Sequence, residues 1–372
     1  LLVLHVDTAG QTNMTPTPTP DPNCPQLVRK ALDLTKTNCT ILGRNQVCYG
    51  HSEVQASSRF KAFRFEQPGD IEEVISLQSL SLSAMSIAQQ VWGVMLMQVQ
   101  AGLQLDSPDN VTMVFFGDTE LNARAQVLEV RVEENVNSRV QPSPSAALQE
   151  VLPAGATVYA NARTDDSLWI RVQLNRETIR SGWVLASLVQ TDESLDLLPV
   201  VDPMLEDIQA TFGPMQAFYF QSGKDDAPCE EAPNSGLLIQ TPEGAASVTI
   251  WIDEVVIELN ATAFLQAQPN GTLDVNVIEG FAKVTALSET QLAMAGTSVS
   301  VELDEDLNAD SVPSSPEPFN PDDLKSLPTE LLMREVTVPE PFDPTAGIPA
   351  SGRWSFTVGA RDMSCGAEIV PF

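Results

Sequence analysis

The chain has 372 residues, of which 43% are hydrophobic, 19% are charged and 6% are aromatic. Fifty acidic and 20 basic residues give a formal net charge of −30, and such a surface repels phosphates and anionic lipid, which argues against nucleic-acid binding. The acidic excess serves either solubility and mutual repulsion or cation binding. No run of 18 apolar residues occurs, so we expect no membrane insertion, and the length predicts about two to four domains.

The sequence begins with an apolar segment, here called the N-terminal arm, and continues with a proline-rich spacer. Residues 1–6 read Leu-Leu-Val-Leu-His-Val, and residues 15–22 read Thr-Pro-Thr-Pro-Thr-Pro-Asp-Pro. A Thr-Pro repeat is an extended tether. The arm therefore either adds as a strand to the sheet edge of another subunit or folds back on its own chain. The candidate assembly residues are Leu1, Leu2, Val3, Leu4 and Val6.

None of the five cysteines lies in a C-x-x-C pair, so we expect disulfides in a protein exported through a signal peptide that has been removed. The segment between Cys24 and Cys39 has a helical pattern, which would hold these two residues about 20 Å apart and unable to bond to each other. Cys48 should therefore pair with Cys24 or Cys39, and Cys229 with Cys365. Five free thiols are the alternative. Five candidate glycosylation sequons also occur, at Asn13, Asn38, Asn110, Asn260 and Asn270.

The arm and spacer occupy residues 1–23, and the pattern that follows predicts an α+β domain over residues 24–126. It combines the helix after Cys24, alternating segments over 53–66, a long helix over 83–103 and a strand over 111–116.

Residues 127–190 change to short strands at regular spacing, which predicts a small barrel. Three motifs here resemble bacterial SH3 domains. Residues 135–139 stand at the family's Val-Asn-Val-Arg opening, residues 152–158 match its Leu-Pro-x-Gly-x-x-Val turn, and residues 166–172 and 182–184 match its two tryptophan strands. The resemblance implies binding of a cell-wall peptide or glycan. Trp169 and Trp183 are then either a ligand face or core anchors.

A linker over residues 191–202 leads to a β-rich region over 203–372, in which Asn270-Gly271 predicts a tight hairpin turn. Residues 261–264, 275–284 and 295–299 resemble the FecR-type β-domain, and the resembling unit covers about 236–301. We expect this unit to be embedded in a C-terminal β-sandwich. The family's signalling role requires a membrane segment, which this sequence lacks.

Little in the sequence points to catalysis. His51 is the only histidine outside the arm, and no nucleophile motif accompanies it, so we expect a protein without enzymatic activity or cofactor. Asp304, Asp306, Asn308 and Asp310 repeat at a spacing of two, as at the start of a calcium loop, but Ala309 and Ser315 replace the required Gly and Glu. A solvated acidic loop is the alternative to a metal site.

The sequence thus predicts a mainly β, exported protein. The first functional hypothesis is an extracellular structural subunit that self-associates into a surface or filamentous assembly through its arm. The alternative is a secreted adhesion protein whose SH3-like barrel binds peptidoglycan or glycans, and a third is a periplasmic sensor fragment.

Overall fold

The computed structural model describes residues 23–58, 63–100, 110–124, 127–174, 181–201, 215–224, 226–244 and 247–344. These residues fold mainly as β-strands, so the predicted mainly β class is confirmed. Within these ranges, no helix has the length and apolar content needed to cross a membrane.

One α-helix occurs in the described ranges, α1 (Cys24–Asn38), and the strands form three groups along the chain. The first group is β1 (Gln46–His51), β2 (Val54–Ser57), β3 (Ile71–Glu73), β4 (Ser79–Leu82), β5 (Val94–Val99), β6 (Val111–Phe116) and β7 (Thr119–Ala123). The second is β8 (Leu128–Val132), β9 (Val136–Arg139), β10 (Leu148–Leu152), β11 (Thr157–Arg163), β12 (Trp169–Gln173), β13 (Ser181–Leu185) and β14 (Val189–Gln190). The third is β15 (Ala217–Ser222), β16 (Gly236–Gln240), β17 (Val248–Ile252), β18 (Val255–Ala267), β19 (Thr272–Ala286), β20 (Glu289–Met294), β21 (Thr297–Glu302) and β22 (Glu317–Pro318).

The first and third groups form a single 15-stranded sheet, and the second forms a separate seven-stranded sheet. The two large segments meet where β7 pairs antiparallel with β15, for example Leu121 with Phe220, and where β6 pairs antiparallel with β16. The predicted boundaries 24–126 and 203–372 therefore do not separate two domains with independent sheets. The seven-stranded unit is inserted between two strands that are neighbours in the sheet, an arrangement that needs only closely spaced entry and exit points.

The large sheet has two halves that share the long strands β18 and β19. On one side of β18, β17 pairs with residues 255–259 and β16 with residues 262–265. On the far side of β19, β20 pairs with residues 281–286 and β21 with residues 272–276. The first half thus runs β2-β4-β7-β15-β17, and the second runs β16-β6-β5-β1-β3.

The long strands bend where their pairing is irregular. The register shifts between Thr262 and Ala263, and Gly280, the partner of Ala261, has φ of +75°. A bulge bends and twists a strand, and strands pass between packed sheets at such bends. The two halves consequently share one core, in which Phe115 of the second half contacts Phe218 and Phe220 of the first at ring-centroid distances of 6.3 and 6.0 Å.

The second half is covered on its other face by α1 and by residues 319–338. Strands β5 and β6 are therefore buried along their whole length. In β5, Met95 and Met97 face the shared core, whereas Val94 and Leu96 face α1. The prediction of a helix over residues 83–103 is wrong over the described residues 83–100. A strand such as β5, which is buried on both faces, loses its alternation and reads as a continuous apolar run.

Two disulfides occur in the described ranges. Cys39 bonds to Cys48, which is one of the two predicted alternatives, and Cys24 bonds to Cys229. The predicted Cys229–Cys365 pair is wrong in this structure, and Cys365 lies outside the described residues. Cys24 is the first residue of α1, and Cys229 lies in the loop before β16. The Cys24–Cys229 bond therefore joins the segment before the inserted unit to the segment after it.

The inserted sheet has the strand order β10-β9-β13-β12-β11-β8-β14. Its core contains Val130, Val158, Ile170 and Val184, each from a different strand. The short strands predicted within residues 127–190 are present as β8, β10, β11, β12 and β13, and among them β8 alternates strictly in burial.

The turn between β17 and β18 contains an unusually placed carboxylate. Asp253 is 1% exposed, and its Oδ1 accepts a hydrogen bond from the Phe220 main-chain N–H at 2.8 Å. Its Oδ2 has no partner. Burial raises the pKa of Asp253 well above its usual value of 3.8, and the hydrogen bond from Phe220 opposes this shift without cancelling it. Asp253 and Glu254 both have positive φ, as a two-residue hairpin turn requires.

We expect Asp253→Asn to remove a pH-dependent loss of stability. Folded Asp253 keeps its proton at pH values where the unfolded chain has released it, so the contribution of Asp253 to the free energy of unfolding falls as pH rises from about 4 through the raised pKa. Asparagine keeps the acceptor oxygen and tolerates positive φ. Urea denaturation across pH should show the variant gaining relative stability as pH rises.

The matched control is Asp306→Asn, which removes one charge from an exposed loop residue. The raised pKa of Asp253 would be contradicted if the free energies of unfolding of Asp253→Asn and of the natural protein differed by the same amount at every pH.

Candidate assembly edge

Strand β20 lies at an open edge of the large sheet. It pairs with β19 through a two-residue turn, Leu287-Ser288, whose φ values are +48° and +70°. In such a hairpin the residues flanking the turn exchange both main-chain hydrogen bonds, and bonded and non-bonded pairs then alternate. The main-chain groups of Thr290, Leu292 and Met294 therefore point away from β19, toward the edge.

Two of these three residues have free main-chain groups. The Thr297 hydroxyl accepts from the Met294 N–H at 2.9 Å and donates to the Met294 carbonyl at 2.8 Å. Across the ranges that the structure describes, no strand pairs with the outer side of β20. Thr290 and Leu292 thus each offer one N–H and one C=O to an added strand.

Two side chains along this edge, those of Leu292 and Met294, are apolar and lie on the outward face of the sheet, beside the polar Thr290. Leu292 is 48% exposed and Met294 is 53% exposed. Met294 is paired across the ladder with the half-buried Phe281, and Ala293 points to the opposite, buried face. An exposed edge strand with apolar side chains is a template for pairing, which proteins normally block with charge, proline or a bulge.

Beside Leu292 a lysine compensates the charge of Glu258, whereas Glu289, the first residue of β20, is exposed. Lys283, the ladder partner of Leu292, contacts Glu258 of β18 at 3.1 Å. Hydrogen bonds from Lys283 and then from Ser247 hold the pKa of Glu258 below its usual value. An apolar segment can therefore approach Leu292 without facing an uncompensated carboxylate there.

The other strand edges are less suited to pairing. In β10, Leu148 and Val151 are exposed, but the ladder with β9 is irregular between Leu148 and Glu150, and a bulge of this kind protects an edge. Strands β3, β14 and β22 have only three, two and two residues. Strand β2 has four residues, and the exposed ones, Gln55 and Ser57, are polar.

Several residues predicted as sites lie elsewhere or have structural roles. The arm residues, Asn13 and Cys365 lie outside the described residues. Trp169 and Trp183 are each 6% exposed and pack with Ala162 and Val201, so they anchor the core of the inserted unit and do not present a ligand face.

His51 and the acidic loop also have structural roles. His51 is buried, and its Nδ1 lies 2.9 Å from the Trp92 carbonyl oxygen, while burial lowers its pKa. Asp304 Oδ1 accepts from the main-chain N–H groups of Asp306 and Asn308, so this carboxylate shapes its own turn. The described residues contain no group of three or more acidic, histidine or cysteine side chains that could hold a metal ion.

The described sequons differ in their surroundings. The Asn38 amide donates to the Gly50 carbonyl at 2.9 Å, and the Asn110 amide oxygen accepts from Arg44 at 3.0 Å. Asn260 is half-buried on β18, whereas Asn270 is exposed at the predicted hairpin turn between β18 and β19.

The sequence did not reveal the β20 edge. Residues 291–301 read as one strand, but the structure has β20 and β21 separated at Gly296, where φ is +89°. The hairpin before β20 was missed because Leu287-Ser288 lacks the Asn and Gly that usually mark this turn. Comparison of the chain with protein-family models, with curated proteins and with solved structures found no match.

Proposed function

We propose that this protein is a non-enzymatic, extracellular structural subunit that polymerises when its N-terminal arm adds as a strand to the β20 edge of a neighbouring copy. The observation that carries the proposal is the pair of free main-chain positions, Thr290 and Leu292, beside exposed apolar side chains. The two disulfides support an oxidising location such as the cell exterior.

The arm matches this edge in chemistry. Apolar side chains occupy both alternating sets of residues 1–6. One set would cover Leu292 and Met294, and the other would lie beside Ala293. The arm contains no acidic residue, so it avoids the repulsion expected between two copies of charge −30.

The spacer allows the arm to reach another copy. The proline-rich residues 15–22 would extend roughly 25 Å at about 3.1 Å per residue in the polyproline conformation. That conformation is stiff over several residues, which disfavours folding back over a short distance. The SH3-like unit over 127–190 and the FecR-like unit over about 236–301 belong to the proposal as the body of the subunit.

The test uses one donor variant and one acceptor variant. Leu292→Lys should prevent a copy from accepting an arm, and deletion of residues 1–22 should prevent a copy from donating one. Each alone should lower polymer mass in sedimentation velocity by at least about tenfold, because a charge on the contact face opposes edge pairing. Mixed together, the two variants should form dimers that do not grow.

Val151→Lys is the matched control, since Val151 is also 48% exposed on an edge strand, β10. It should leave polymerisation unchanged. Polymers that persist without residues 1–22, a natural protein that stays monomeric, or a mixture that forms no dimers would each overturn the proposal.

A further inference from the structure

A polar pocket lies on the second half of the sheet. It is on the same face as α1, at a position that α1 does not cover. Its volume is about 230 Å³, the space of roughly eight water molecules at about 30 Å³ each. Strands β18, β19, β21 and β22 form its floor, and the segment after β22 forms its rim. The side chains used below are Lys224, Gln266, Asp274, Asn276, Ser298, Ser300, Glu317 and Asp323.

Strand register brings the polar side chains together in two rows. Gln266, Asp274 and Ser300 are successive ladder partners across β18, β19 and β21. In the next row, Asn276 pairs with Ser298, and Ser298 pairs with Glu317. On the same face of β19, two residues beyond Asn276, Ile278 packs into the apolar layer under α1. The polar rows therefore interrupt a face that is otherwise buried and hydrophobic.

The side chain of Asn276 makes no hydrogen bond that would explain its polarity by a role in the fold. It is 4% exposed, lines the pocket and has no hydrogen-bond partner among the described residues. Gln266, its buried neighbour, differs because its amide donates to the Ser235 carbonyl at 2.9 Å. The amide atoms of Asn276 are not among the fully buried polar atoms that lack a partner, so solvent or a ligand in the pocket can reach them. Asn276 thus has donor and acceptor capacity directed into the pocket.

The remaining groups select the class of ligand. Asp274 accepts from the Ser300 hydroxyl at 2.6 Å and lies 3.4 Å from Lys224 Nζ, so its charge is compensated. Glu317 and Asp323 add further carboxylates, which disfavour an anionic ligand. The described side chains form no metal-binding group. Hydroxyl groups suit such a mixture, since each can donate to a carboxylate and accept from an amide or ammonium.

We infer that this pocket binds a neutral polyhydroxyl ligand, a single sugar ring, with Asn276 as its central hydrogen-bonding residue. The pocket is separate from the β20 edge and from the inserted unit, so sugar binding here is independent of polymerisation. It is also distinct from the glycan binding expected of an SH3-like barrel.

The test measures binding of simple glycosides to the full chain. Methyl β-D-glucopyranoside, methyl β-D-galactopyranoside and methyl N-acetyl-β-D-glucosaminide are titrated by saturation-transfer NMR and calorimetry. At least one should bind with a Kd on the order of 1 mM or tighter. Asn276→Leu should weaken it by at least about tenfold without lowering thermal stability, because leucine is of similar size and no protein hydrogen bond is lost.

Asn122→Leu is the matched control, because Asn122 is an exposed strand asparagine on β7, outside the pocket. It should leave binding unchanged. If Asn276→Leu fails to fold, Ser298→Ala takes its place with the same expectation of weaker binding. Failure of all three glycosides to bind, full binding by the pocket variant, or saturable binding of Ca²⁺ or spermidine in place of the glycosides would overturn the inference.

Discussion

Replacing both Cys24 and Cys229 by alanine should lower the free energy of unfolding by about 5 kcal/mol, on the loop-entropy relation for a closed loop of this size. The two residues are 205 positions apart, and the loop they close contains the whole inserted unit. The bond restricts the unfolded chain far more than a local bond would. Urea denaturation followed by circular dichroism would measure the change.

The Cys39–Cys48 bond supplies the matched control. Its partners are only nine positions apart, so the same relation gives about 3 kcal/mol for replacing both by alanine. Each bond joins one fully buried cysteine, Cys24 or Cys48, to a more exposed one, Cys229 or Cys39, which makes the packing losses similar. If removing the long-range bond costs no more than removing the local one, loop closure does not explain its contribution.

The Cys24 bond should also determine how firmly α1 is held. The buried face of α1 contains Leu27, Val28, Ala31 and Leu32, and this face covers the second half of the sheet. Without the bond to Cys229, the first turn of α1 keeps only these contacts. Amide hydrogen exchange should therefore accelerate in α1 before it accelerates in β5, which is buried on both faces.

Local features of this fold could be predicted because they depend on neighbouring residues. Strand β8 of the inserted unit alternates in burial, and Asn270-Gly271 marks the hairpin between β18 and β19 through the positive φ of Asn270, +54°. The helix after Cys24 follows from apolar residues at helical spacing. Each of these signals is contained within one turn or one face of an element.

Long-range features could not be predicted because the sequence does not say which strands become neighbours. Nothing near Leu121 indicates that it pairs with Phe220 after an inserted unit. The choice between Cys24 and Cys365 as the partner of Cys229 depends on the same unknown. For β5 the difficulty was different. Because α1 covers one face of β5, both faces are apolar, and the polar–apolar alternation that distinguishes a strand from a helix is absent.

The two candidate sites were hidden for related reasons. Asp274 and Asn276 alternate with Leu273 and Val275, which normally indicates a strand with one solvent-exposed face. Asn276 is nevertheless buried, in a pocket that residues distant in sequence, such as Lys224 and Asp323, also line. The β20 edge depends on the absence of a neighbour in the described sheet, a property that no local pattern contains.

Gly280→Ala should destabilise the protein by about 3–5 kcal/mol, because two independent costs fall on one residue. An added Cβ would lie 2.0 Å from the Asn260 carbonyl oxygen, and φ at this position is +75°. Gly244→Ala separates the two costs, since Gly244 has φ of +71° with no atom within 4 Å of the added Cβ. The control should lose only about 1–2 kcal/mol, the cost of the left-handed backbone. Because Gly280 lies where β18 and β19 pass from one half of the sheet to the other, the excess loss measures the close approach of the two strands at the bend. Equal losses in the two variants, measured by urea denaturation, would show that the bend can widen and that the close approach is not required to join the halves.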